Sequence, residues 1–257
     1  MKVAFLGISG GVQSPDSGNV SFLVTEGGTS VLVEASGNPT AGVTASGGNP
    51  AELDAVLLSH AHVDHLYALP SLLHNLWLLK RSRPLPVYGN APTLETARSL
   101  CAVFGLEKKR GIFAVEWTPF PEGGVTLGPF ALEAFPTVHG VPTLGFVLSA
   151  GNRKMAYFAD TAPLADPPPS AVGAHSVIHE AGGVAAGEAA LNAQGHSSAR
   201  QAGLAAAGSA RPGQDPPVLF LCHLPPDGSG RAAVLSEARG LYRGRTMIPD
   251  LLFPYTI

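Results

Sequence analysis

The residues best suited to chemistry are packed into one short stretch, His60-Ala61-His62-Val63-Asp64-His65. A turn of this kind can aim two imidazoles, His60 and His62, at one cation while Asp64 and His65 reach a second. Divalent zinc and its relatives take imidazole nitrogen and carboxylate oxygen at about 2.0–2.2 Å. This stretch saturates neither ion, so further ligands must come from elsewhere. His139, Asp160 and His223 each follow a short apolar run, and Asp160 has two oxygens with which to bridge. A lone histidine is more often a satisfied core or surface group than a ligand. His74, inside an apolar helical stretch, and His175, just ahead of a strand, are read that way.

Strands must carry these groups to one place. Residues 2–6, 20–24 and 30–34 read as strands joined by Gly-rich turns, and 35–50 as loop. Residues 54–58 form a buried strand running straight into the His-rich turn. Residues 66–80 follow as a helix that tolerates Pro70. Further strands are expected over 85–88, 130–138, 176–179 and 218–222, a hairpin over 144–158, and helices over 93–104 and 198–207. His60, His139, Asp160, His179-Glu180 and His223 then all fall at C-terminal strand ends, where α/β proteins assemble sites. Strands in runs with helices between them imply an α/β sandwich, sheets inside and helices outside.

Composition narrows the classes. The chain has 257 residues, 45% of them hydrophobic and 14% charged, with a net charge of −3, which suits one domain over residues 1–257. That charge argues against a dedicated nucleic-acid coat or a basic membrane binder. Two cysteines make no disulfide framework, the first residues are too short an apolar run for a signal peptide, and no run reaches a membrane span. A reduced, cytoplasmic setting is expected. Two basic runs, Lys80-Arg81-Ser82-Arg83 and Lys108-Lys109-Arg110, read first as solvated helix-end charge and second as a weak nucleic-acid path. The Gly7-Ile8-Ser9-Gly10-Gly11 loop reads as a strand turn rather than a phosphate cradle.

With these residues in place, His60-Ala61-His62-Val63-Asp64-His65-Leu66 resembles the HxHxDH signature of the metallo-β-lactamase superfamily, and His139, Asp160 and His223 follow in that superfamily's order. The resemblance implies a four-layer αββα sandwich, two mixed sheets flanked by helices. It also implies two divalent cations, zinc first and manganese as the alternative, with a bridging water that becomes hydroxide at neutral pH. Finer motifs are similar to those of ribonuclease Z-like phosphodiesterases: Asp64-His65-Leu66-x-x-Leu69-Pro70, His179-Glu180-Ala181 and Gly195-His196-Ser197-Ser198. Carried over, Asp64 is a base or water-orienting carboxylate and His196 a proton donor or phosphate-stabilising group oriented by Glu180. No role for His179 follows. Read structurally instead, Ser197 or Ser198 simply caps the following helix.

The chain departs from that branch in three places. Val33-Glu34-Ala35-Ser36-Gly37 stands where an Asp-Cys-Gly turn is usual, Ser14-Pro15-Asp16-Ser17-Gly18-Asn19 replaces a basic loop, and residues 161–178 are too few for a tRNA-clamping arm. The expectation is a dinuclear metal-dependent hydrolase, a phosphodiesterase acting on a small cyclic or nucleotide diester or on RNA or DNA ends. The alternatives are a thioester, lactone or other ester hydrolase of the same fold, or a non-catalytic metal-binding protein. Homodimerisation through apolar helix faces is compatible with the sequence.

Overall fold

Side chains alternate between two buried faces along the central strands of the computed structural model, which describes residues 1–257. In β3 (Thr29–Val33), Val31 and Val33 enter the core between two sheets while Leu32 packs under helices on the outer face. In β4 (Ala55–Leu57), Ala55 and Leu57 face inward and Val56 outward. A sheet apolar on both faces must be covered on both, by a second sheet on one side and helices on the other.

The first sheet also holds β1 (Lys2–Gly7), β2 (Ser21–Glu26), β5 (Leu85–Gly89), β6 (Val115–Pro119) and β14 (Pro254–Thr256), in the order β14-β1-β2-β3-β4-β5-β6. Pairing is antiparallel from β14 through β3 and parallel from β3 to β6. The second sheet comprises β7 (Val125–Leu127), β8 (Phe130–Pro136), β9 (Leu144–Ala150), β10 (Arg153–Tyr157), β11 (Ser176–Glu180), β12 (Val218–Cys222) and β13 (Thr246–Met247). Its order is β13-β12-β11-β10-β9-β8-β7, antiparallel from β7 to β10 and parallel from β10 to β13. Both sheets are mixed, as expected.

Helices α1 (Pro39–Ala45), α3 (Leu69–Leu78) and α4 (Ala91–Val103) bury Val43, Leu72, Leu76, Leu94 and Ala97 against the first sheet. Helices α6 (Ala199–Gly208) and α7 (Gly228–Leu241) cover the second with Ala202, Ala206, Val234 and Ala238. The short α2 (Val63–Leu66) and α5 (Glu188–Ala193) lie in the connections that carry site residues. The layers are therefore αββα. No helix is long and apolar enough to cross a membrane.

Three expectations need correction. The helix expected over 66–80 is two pieces, because Pro70 has no N–H and fits only the first turn of a helix, so α3 restarts at Leu69. Within the expected 35–50 loop lies α1, capped by Asn38, whose side chain accepts the Ala41 N–H at 3.2 Å, with Pro39 just inside. Arg81 is not solvated: it is buried and donates to the carbonyls of Ala51, Leu53, Arg83 and Pro84.

Candidate metal centre and its acid-base pair

The first ligand-type residues leave β4 on a loop held from both sheets. The Ser59 N–H donates to Glu34 Oε2 at 3.2 Å, and the Ser59 carbonyl accepts the Leu144 N–H at 3.1 Å. Ser59 Oγ also stands 2.8 Å from His60 Nδ1, leaving Nε2 to point inward. His62 precedes α2, so Asp64 falls in its first turn and His65 in its last. Asp160 lies three residues beyond β10, and His223 directly follows β12 with φ +48°.

These strand ends converge. One ligand atom from each of His60, His62, His139 and Asp160 lies within 4.8 Å of the others, and the same holds for Asp64, His65 and His223. Asp160 reaches the second group too, its Oδ2 being 3.4 Å from His65 Nε2 and 3.3 Å from His223 Nε2. All seven residues expected as ligands thus meet, with Asp160 between two clusters. Asp160, His196 and His223 form a third, overlapping group.

The buried atoms test whether a cation fits. His60 Nε2, both ring nitrogens of His65 and Asp160 Oδ1 are shielded from solvent without a hydrogen-bond partner. Such an atom ordinarily costs about 1–3 kcal/mol. His60 Nε2 and His65 Nε2 beside the Asp160 carboxylate, all of types that ligate divalent metals, fit a metal-binding cage.

Electrostatics separate the clusters. Burial, reinforced by the neighbouring His65, pushes the His60 pKa down to about 2, and burial lowers His62 and His139 as well. These rings are neutral and offer lone pairs. Burial opposes charge on His65 and His223, but Asp160 beside them outweighs it and raises both. Burial likewise works against ionised Asp64, yet the hydrogen bond to His223 and the nearby His65 hold its carboxyl well below the usual range. Asp160 is also held low, by His223 and His65 against burial.

Next to the cage sits a second device. His196 Nδ1 lies 3.0 Å from Glu180 Oε2 and 3.9 Å from Asp160 Oδ2, while Glu180 Oε1 accepts the Thr161 N–H at 2.6 Å. Burial and the Asp160 charge raise the Glu180 pKa. His196 keeps 21% of its side chain exposed, enough to meet a substrate. The segment behind it is fixed: Ser197 Oγ donates to the Thr161 carbonyl, Ser198 caps α6 in a capping box with Gln201, and the Gly195 carbonyl meets His139 Nδ1 at 2.8 Å.

The other candidates lie apart. His179 is buried on another face, stacked on Phe158 with Nδ1 donating to the Glu180 carbonyl, and burial pushes its pKa down to about 4. His74 packs on Trp77, and His175 Nδ1 accepts the Lys154 N–H. The amides of Ile8, Ser9 and Gly10 are consumed by the Gly18 and Leu224 carbonyls, as a strand turn requires. One residue went unread. Glu34, buried with φ +60°, places Oε1 3.4 Å from His65 Nδ1 and accepts the Tyr157 hydroxyl. An acid closing an apolar strand is the signal already used for Asp160, and it could have found Glu34.

Comparisons with known proteins agree with this fold. Residues 28–223 match the family model of the β-lactamase superfamily domain. A ribonuclease Z of Bradyrhizobium diazoefficiens is 30% identical over 155 residues, 59% of this chain and 51% of that protein, so the chain spans about half the length of this relative. The metallo-β-lactamase fold protein YhfI of Bacillus subtilis superposes with a TM-score of 0.81 at 25% identity, over 99% of each chain. Short-form human tRNase Z does so with a TM-score of 0.77 at 19% identity, over 100% of this chain and 99% of that one, a likeness of fold. The chain therefore belongs to the β-lactamase superfamily, in its metallo-β-lactamase fold.

Proposed function

We propose that this chain is a metal-dependent phosphodiesterase. His60, His62, His139 and Asp160 would hold one divalent cation and Asp64, His65, His223 and Asp160 a second, zinc being the best match to so many imidazoles. Such cations supply Lewis-acid polarisation of a phosphoryl oxygen and a nucleophile at neutral pH. The ribonuclease Z relatives make RNA the first substrate class to test.

The observation that carries this reading is the His196–Glu180 pair at 3.0 Å beside the cage. Glu180 accepts from Nδ1–H, so the proton that His196 can give away is the one on Nε2. Cleaving a phosphodiester needs that proton on the departing oxygen, whereas an activated ester or lactam has less use for it. Asp64, ionised and facing the same space, orients the attacking water.

The test is hydrolysis of bis(p-nitrophenyl) phosphate by chain of measured metal content, run beside a p-nitrophenyl ester and a lactam. Diester turnover should dominate and disappear in Asp64→Ala. His196→Ala should lower it about 10²–10⁴-fold, the usual worth of a general acid, with metal content unchanged. A loaded protein that cleaves the ester and spares the diester would overturn the assignment.

A further inference from the structure

The two basic runs have different fates. Arg81 is consumed by four carbonyls, and Arg83 pairs with Asp54 at 2.8 Å and with Glu52 at 3.4 Å. By contrast Lys108 and Arg110 are exposed and make no ion pair, and Lys109 Nζ lies 4.8 Å above the Trp77 ring. In a chain of net charge −3, the second run is an uncompensated positive patch.

That patch borders an aromatic groove of about 350 Å³, walled by Tyr67, His74, Phe104 and Lys109. His74 leans on Trp77 with centroids 5.6 Å apart, and Trp77 is tied by its indole N–H to the Arg110 carbonyl. Phe104 is 62% exposed, and Val103 beside it is 79% exposed. The groove is linked to the metal centre through the chain. Tyr67 is three residues past Asp64, and its hydroxyl accepts from Gln13 Nε2 and the Gly37 N–H. His74 then follows along α3, which runs about 15 Å.

We infer that this groove holds a single-stranded segment of an RNA substrate, bases against Tyr67, His74 and Phe104 and phosphates along Lys108, Lys109 and Arg110. Flat rings interleaved with cations are what an unpaired strand uses, since every base has a face to stack and every linkage a charge. The exposed cations Lys108 and Arg110 beside the rings favour a polyanion over an apolar protein surface. The inference rests on the phosphodiesterase reading for its link to catalysis, but its test does not pass through catalysis.

The test is fluorescence anisotropy of a labelled 12-nucleotide single-stranded RNA with the full chain in EDTA, where no metal-dependent cleavage occurs. Binding should weaken about 20-fold between 50 and 200 mM salt, the slope for three phosphate contacts on a single strand. Phe104→Ala should weaken it about tenfold by loss of a stacked base. Lys108→Ala with Arg110→Ala should flatten the salt dependence to that of one contact. Absence of binding at low salt, or binding indifferent to these exposed substitutions, would overturn the inference. So would sedimentation showing a dimer that Phe104→Ala dissociates while RNA binding is unchanged, since the face would then belong to a second copy. Failure of diester hydrolysis, with RNA binding intact, would count against the phosphodiesterase reading alone.

Discussion

Gly195 has φ +79°, and a Cβ added there would stand 2.7 Å from His139 Nδ1. Its carbonyl also accepts from that nitrogen, so one backbone unit both orients His139 and precedes His196. Gly195→Ala should therefore disturb the cage and the proton donor together. Loss of a partner that orients a metal-binding imidazole typically costs 10–100-fold in affinity, measurable by competition with a chromophoric chelator. Unchanged affinity would mean that His139 is not held through this contact. Glu180→Gln tests the other side. Both carboxylate oxygens of Glu180 face donors, Thr161 N–H and His196 Nδ1, and an amide must turn its NH₂ toward one of them. Turnover should fall by about two orders of magnitude, within the range of general acid-base effects, while metal content stays constant. Equal turnover by Glu180→Gln and the unmodified chain would remove Glu180 from the mechanism.

At the scale of elements, α6 depends on the residue just before it. Ser198 Oγ caps the Gln201 N–H at 3.2 Å and also donates to Glu188, which in turn binds the Arg200 guanidinium. Ser198→Ala should destabilise the fold by about 1–2 kcal/mol, read by urea unfolding, and leave the metal centre loaded. No loss of stability would show the capping box to be redundant with the burial of Ala202 and Ala206. Elements of this kind were legible in proportion to how local their causes are. The strand 218–222 could be read residue for residue, because an all-apolar run leaves no alternative. Helix α1 was hidden by its Gly and Thr content although Asn38-Pro39 announces a helix start. Strands β6 and β7, half-exposed at sheet edges, have too few buried residues for a pattern. Ligand types at strand ends could be read because metals accept so few side chains. Glu34 carried the same strand-end signal as Asp160, whereas the part played by Gly195 could not be read, since it acts through a backbone carbonyl.

Over the whole molecule, each half of the chain lays antiparallel strands first and parallel strands after, so the C-terminal ends of two parallel series face one another. The first parallel strand of each series is followed by a buried acid, Glu34 after β3 and Asp160 after β10. The second brings His60–His65 from one half and Glu180 from the other, and the third brings Asn90, bonded to the Ser59 and Pro142 carbonyls, and His223. A cation bound there would tie the two sheets together and give partners to the orphaned His60 Nε2, His65 Nε2 and Asp160 Oδ1. Metal should then act on the stability of the entire fold. At a free concentration 1,000 times its dissociation constant, a ligand that binds only the folded chain adds about 4 kcal/mol. For a chain of this size that corresponds to roughly 10 °C in Tm. Chelation should lower Tm by that order in calorimetry, re-addition of zinc should restore it, and His60→Ala should abolish most of the response. A metal-loaded chain that melts at the same temperature as the chelated one would mean that the two sheets meet without help, and that the cage holds its unpaired atoms at a cost met by packing alone.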